Sequence, residues 1–354
     1  MTVVAALALV CLAGNPSVAS PAAQGDLRSF LRPFRSDSPW NTPIPAGARY
    51  RKIPGIERMG GGLNYDDRWS VGVYRATRED RRARLFIHDW TLWNKLDSGE
   101  VRTAGNAPDV EDRLRGASKP FPDFPANPYS TTARATDAAG RTWPRGIRPI
   151  AAGWSNTIYV PAGARSSPDS DALLAIYQPD GLVLECYDAV VCANGDVVCQ
   201  MAGFTDPTGD GTGANNGRCA SLLNCYAGLI RAGEVASGRI PHALNLTCSR
   251  RLMAPRAVLP ALAFDMNDRY AGDLPMGSRL AIPRGVDIRS LGLSERGAVI
   301  ARATQEYGAI ITDRGGDGGL TLRAELDAAD ALYLDRATDM TIIVHRLQQV
   351  VAGR

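Results

Sequence analysis

The chain has 354 residues, 45% of them hydrophobic and 22% charged, and a net charge of +3. That length can bury an ample core, so its cysteines are not needed to rescue a small fold, and it fits one large β-rich domain or two ordinary ones. Lysine is confined to Lys52, Lys95 and Lys119 and no basic run forms a patch, which argues against a nucleic-acid partner, whereas the arginines suit bidentate recognition of an acidic glycan.

The N-terminus reads VVAALALVCLAG and then NPSVASPAAQGD. A short apolar run followed by small residues predicts a signal peptide over residues 1–23, cleaved between Ala19 and Ala23. The run is too short to span a bilayer, and no other segment is long and apolar enough for a membrane helix. The expected location is therefore secreted, either extracellular or periplasmic. Residues 24–68, containing the proline-rich RPFRSDSPWNTPIPAGARY, read as an extended arm.

Residues 69–354 read as a single β-rich domain. Strands are predicted over WSVGVYRA and ARLFIHDWTLW, followed by a loop-rich insertion near 103–149. Next come NTIYVPAGA, ALLAIYQ, LVLECYDAVV and VVCQMAGF, the last three forming an antiparallel meander. Their turns are Gln178-Pro179-Asp180-Gly181-Leu182 and Ala193-Asn194-Gly195-Asp196, where Asn-Gly suits a type I′ hairpin. The segment DPTGDGTGANNGR is a Gly-rich loop. AGLIRAGEVASG holds a short helix and HALNLTC a strand. LSERGAVIARATQEYG is the clearest helix, capped by Ser294 and ended by Gly308, with AIITD as the strand after it. DMTIIVHRL reads as a strand. The pattern predicts a mainly β fold, an antiparallel β-sandwich of jelly-roll type with one or two short helices.

Export removes Cys11 and leaves Cys186, Cys192, Cys199, Cys219, Cys225 and Cys248. Six cysteines in an oxidising compartment imply up to three disulfides of open connectivity. No CxxC spacing supports a zinc site.

A two-residue turn at Asn194-Gly195 pairs Val191 with Val198, Ala189 with Gln200, Tyr187 with Ala202 and Glu185 with Phe204. Glu185, Tyr187 and Gln200 then share one face, and Cys186, Cys192, Cys199 and Asp188 the other. An acid, a phenol and an amide on one sheet face suit a sugar; the plainer reading is a solvated strand face. Glu185 with Asp206, at the mouth of the Gly-rich loop, supplies the two carboxylates that glycoside hydrolysis needs. Asp206 and Asp210 are also a weak calcium candidate, and no other cofactor is expected. His242 and Tyr187 complete the catalytic candidates. Gln200, His88, Trp143 and Trp154 are the substrate-binding candidates, and His345 is read as structural. No GxSxG, HExxH or GxxxxGK[ST] motif occurs.

Gly228 to Glu234, Ile240 to Leu244, Met276 to Pro283 and Gln305 to Ala309 resemble the recurring motifs of a group of exported, β-rich bacterial proteins. The resemblance covers roughly the second half of the chain. It implies export and, by analogy, carbohydrate-active character, and it places His242 inside a motif. The leading expectation is a secreted glycoside hydrolase acting on a polysaccharide. The alternatives are a lyase on a uronate-containing glycan, with His242 or His88 and Tyr187 as base and acid, and a non-catalytic glycan-binding or envelope protein.

Overall fold

A computed structural model of the chain describes residues 32–64, 70–88, 118–120, 135–136, 142–143, 157–167, 171–191, 195–265, 270–328 and 338–351. The expected signal peptide, most of the 103–149 insertion, Cys192 and Trp154 lie outside them, as do the side chains of His88 and Trp143.

The fold is mainly β, built on two seven-stranded sheets. The first runs β1 (Arg49–Arg51), β18 (Gln348–Val351), β15 (Arg279–Ala281), β16 (Ala309–Gly315), β12 (Leu244–Ser249), β17 (Gly319–Arg323), β2 (Gly60–Asn64). The second runs β3 (Val71–Arg75), β9 (Leu173–Tyr177), β10 (Val183–Val191), β11 (Val197–Thr205), β4 (Arg81–His88), β5 (Ser118–Pro120), with β8 (Thr157–Val160) also on β4. Two further pairs join β13 (Met253–Ala257) to β14 (Leu274–Met276) and β6 (Ala135–Thr136) to β7 (Thr142–Trp143).

Both large sheets are mixed rather than purely antiparallel. β12 runs parallel to β16, β17 to β2, β3 to β9 and β11 to β4. The expected antiparallel meander is present over β9, β10 and β11. Residues 49–51 and 60–64, inside the segment read as an arm, are edge strands of the first sheet.

One large core takes Leu244, Leu246, Ile310 and Leu320 from the first sheet and Val71, Leu173, Ala175 and Val183 from the second. A smaller core lies on the other face of the second sheet around Leu85, Ile158, Leu174, Leu184 and Ala202. The alternation of β9 and β10 feeds both, as expected for strands buried on two faces.

Among the described residues, three helices cover the first sheet's part of the molecule: α1 (Ala232–Ala236), α2 (Glu295–Glu306) and α3 (Asp339–Arg346). Ser294 caps α2, its hydroxyl accepting from the Gly297 N–H, and Gly308 beyond its end has φ 77°. The α3 segment is DMTIIVHR, read from sequence as a strand. Met340, Ile343 and Val344 are its buried apolar residues, spaced as one helical face. Its backbone rests on β2, where a Cβ at Gly61 would lie 2.1 Å from the Met340 carbonyl. Asp339, fully buried, accepts from the Ser294 N–H at 3.2 Å and its hydroxyl at 2.5 Å, tying the starts of α2 and α3 together.

The arm folds over the Gly-rich loop. Trp40 is 1% exposed and donates from Nε1 to the Gly211 carbonyl at 2.8 Å. Gly211 and Gly228 both have positive φ, and a Cβ on either would run into the Trp40 ring. Asn41 holds the turn by donating to the carbonyls of Pro33 and Arg35.

Candidate functional site

The hairpin that drew the sequence reading is built one residue out of the expected register. Val191 pairs with Val197, Ala189 with Cys199, Tyr187 with Met201 and Glu185 with Gly203. The Asp196 carboxylate accepts from the Arg84 N–H at 2.9 Å and from Arg84 Nη2 at 2.8 Å. That fastens the start of β11 to β4. Asp188 sits at φ 51°, and its N–H and that of Ala189 donate to the Asp171 and Ala172 carbonyls. This interruption resets the side-chain alternation, so Cys186 and Ala189 face the same core.

Glu185 is 1% exposed. Asn224 Nδ2 donates to its Oε2 at 2.7 Å and the Cys225 N–H to its Oε1 at 2.5 Å. Burial is the largest influence and pushes its carboxyl above the usual range; Asn224, the Arg218 guanidinium and the Cys225 and Arg218 N–H groups oppose it. Gly203, opposite Glu185, leaves room for that guanidinium: a Cβ there would lie 3.2 Å from Arg218 Nη2. The face expected to read a sugar is therefore internal. The loop closed by the Cys219–Cys225 disulfide covers Glu185, Gln200 is 3% exposed, and Tyr187 packs against the large core.

Asp206 is exposed and its Oδ1 accepts from the Thr208 N–H and hydroxyl, at 2.8 and 2.7 Å. Asp210 does the same for Thr212, at 2.9 Å each. The two Asp-x-Thr turns shape the loop, and the Glu185–Asp206 pair is split between a sealed interior and a surface turn. Among the described residues, the one group of three candidate metal ligands is Cys219, Cys225 and Asp313, and its two sulfurs are already bonded to each other.

His242 is 4% exposed, with Nε2 3.0 Å from Glu234 Oε1 and Nδ1 2.9 Å from the Ala243 carbonyl. Glu234 also accepts from the Arg231 N–H at the start of α1. The motif histidine thus fastens helix to strand. His345, read as structural, sits 3.0 Å from the Met59 carbonyl.

Of the six cysteines expected in disulfides, Cys219 and Cys225 are bonded. Cys186, Cys199 and Cys248 are buried and carry no disulfide in the structure, so one of the three expected bonds is formed among the described residues.

The structure gathers a different set of polar groups where β16 ends. The pairing of β12 with β16 slips between Leu246 and Thr247, so Thr247 faces Asp313 instead of Thr312. Such a bulge re-aims the residues after it. Asp313 Oδ1 accepts from the Arg314 N–H at 2.9 Å, while Arg314 Nε donates to Asp265 Oδ2 at 3.2 Å. One arginine thereby holds both carboxylates. Arg323, 1% exposed, reaches Asp313 and Asp171 through Nη2 at 3.3 Å each, and its Nη1 lies 3.1 Å from Cys219 Sγ.

Both carboxylates keep some contact with solvent, the Asp265 side chain at 17% and Asp313 at 18% exposure. Burial first, and then the Asp313 charge, push the Asp265 carboxyl up to about 6, against the pull of Arg314. Tyr270 stands beside them, its phenol raised by burial and then by the Asp265 and Asp313 charges. Its hydroxyl has no hydrogen-bond partner among the described residues. Phe264 meets the Tyr270 ring edge-on at 6.4 Å, and Leu259 and Leu262 nearby in the chain are exposed.

Sequence reasoning missed this set because its members lie far apart in the chain. The one local signal was an Asp-Arg pair ending the AIITD strand before a Gly-Gly turn. No protein-family model, curated protein or solved structure matches this chain.

Proposed function

We propose that this chain is an exported hydrolase that cleaves a glycosidic bond with Asp265 as general acid and Asp313 as the partner carboxylate. The observation that carries the reading is the unequal pair: two carboxylates held by Arg314, one of them raised to about 6 and the other facing the Arg323 guanidinium. Hydrolysis of a glycoside needs one carboxyl that can give a proton and a second carboxyl group as its partner, and the raised Asp265 carboxyl suits the first role. Asp265 gives its proton to the departing sugar oxygen. Asp313 draws a proton from the attacking water or attacks the sugar carbon itself. The leader at residues 1–23 and the Cys219–Cys225 disulfide support export into an oxidising compartment.

The test is incubation of the oxidised full-length protein with a panel of neutral and acidic polysaccharides, with products read by mass spectrometry. Hydrolysis consumes one water per bond cut, shared between the two new ends, so each fragment weighs its anhydro-sugar residues plus one water. Asp265→Asn and Asp313→Asn are each expected to lower turnover by about 100-fold or more. Unsaturated uronate ends would replace this reading with a lyase, and binding without products would replace it with a glycan-binding protein. Wild-type turnover in both variants would remove the site.

A further inference from the structure

Cys186 and Cys199 sit on neighbouring strands, fully buried against the smaller core, with their sulfurs 2.6 Å apart. They reach the same face because Asp188, at φ 51°, breaks the alternation between Cys186 and Ala189, the residue opposite Cys199. A shared metal does not account for the approach. Two thiolates on a tetrahedral zinc, at about 2.3 Å each, stand about 3.8 Å apart. The observed spacing is instead about half an ångström beyond a bonded pair, at about 2.05 Å.

We propose that Cys186 and Cys199 form a second disulfide, a cross-strand bond between β10 and β11. The reaction balances with a disulfide donor such as oxidised glutathione. One cysteine thiolate attacks the donor, forming a mixed disulfide and releasing one glutathione thiolate. The second cysteine thiolate then attacks the mixed disulfide and releases the other. Two cysteine thiols are oxidised, one donor disulfide is reduced, and the two protons leave with the glutathione.

Position decides when this happens and what it does. Both sulfurs have no exposure, and burial followed by the neighbouring Cys186 raises the Cys199 thiol well above its ordinary range. Exchange therefore belongs to folding, before the smaller core closes, and the finished bond is shielded from reductant. Glu185 then lies between two cystines. It adjoins Cys186 in the chain and accepts the N–H of Cys225, which is bonded to Cys219. Cys248 stays a free thiol, buried, with its Sγ 3.7 Å from the Ser249 carbonyl. The inference is independent of the hydrolase reading.

The test is to refold the full chain from denaturant with a mixture of oxidised and reduced glutathione, quench in acid, alkylate unfolded, and map the peptides. Cleavage before Asp188 and Asp196 puts Cys186, Cys192 and Cys199 on three separate peptides, and trypsin separates Cys248 from the Cys219–Cys225 loop. The expected result is a Cys186 peptide joined to a Cys199 peptide, lighter than their sum by two hydrogens, with Cys248 alkylated. Alkylation of both Cys186 and Cys199, or a bond from either to Cys192 or Cys248, would overturn the proposal. The same map of protein folded without oxidant and only then exposed to oxidised glutathione is expected to show both thiols still alkylatable. Because wild-type protein is used throughout, a variant that fails to fold does not affect the result.

Discussion

Among the described residues, two carboxyl groups are held above their ordinary range, and they differ in nearly every other respect. Glu185 lies in the middle of a strand, sealed from water, with donors from Asn224 and Cys225 on its two oxygens. Asp265 lies in a loop, keeps a window to solvent, and shares its arginine with a second carboxylate. Burial leads in both cases. The contrast teaches that a raised carboxyl marks chemistry only where a proton can come and go. A sealed and fully bonded acid is a strut, while a partly open acid beside a like charge is poised for exchange.

Substitution separates the two roles most sharply. Glu185→Ala strands the Asn224 amide, the Cys225 N–H and the buried Arg218, and leaves a cavity. It should cost about 3–5 kcal/mol in a denaturant titration, the scale of breaking a buried charged network. A loss below about 1 kcal/mol would break the comparison by showing that Glu185 is not a strut.

Asp265→Asn should act through pH instead. The folded protein holds the Asp265 proton more tightly than the unfolded chain, whose carboxyl has the ordinary value of 3.8. Its contribution to stability is therefore full below about 4, falls as pH rises, and is lost by about 6. The difference between wild-type and variant stability curves should slope over that window by at most about 3 kcal/mol and be flat above it. A flat difference throughout would remove the distinction between the two acids. In turnover, the wild-type rate should decline as pH rises through about 6, where the acid loses its proton.

The smallest effect sharpens the account of how the loop beside both regions is held. Trp40→Phe deletes the bond to the Gly211 carbonyl and the Cε3–Cζ3 edge of the indole that faces Gly228. The expected loss is about 2 kcal/mol, read as a lower denaturation midpoint with unchanged slope.

Much of the architecture was legible in the chain because local chemistry decides it. β9, β10 and β11 were readable from alternation and turn residues, and α2 from its Ser294 cap and Gly308 stop. α3 was not, since TIIV has the branched composition of a strand. What makes it a helix is the bare β2 backbone at Gly61 and the anchor from Asp339 to Ser294. The hairpin register also escaped, because Asn194-Gly195 predicts a turn from its own preferences while Arg84, on another strand, holds Asp196.

By itself, then, the sequence determined a mainly β chain, the order of its central strands, and the positions of cysteines and acids along them. These follow from side-chain periodicity and turn chemistry, which act over a few residues. Only the tertiary structure decided which acids see water, which cysteines meet, and which arginine joins Asp265 to Asp313. Burial and charge coupling arise between residues that separate strands and loops bring together, and no local pattern encodes them.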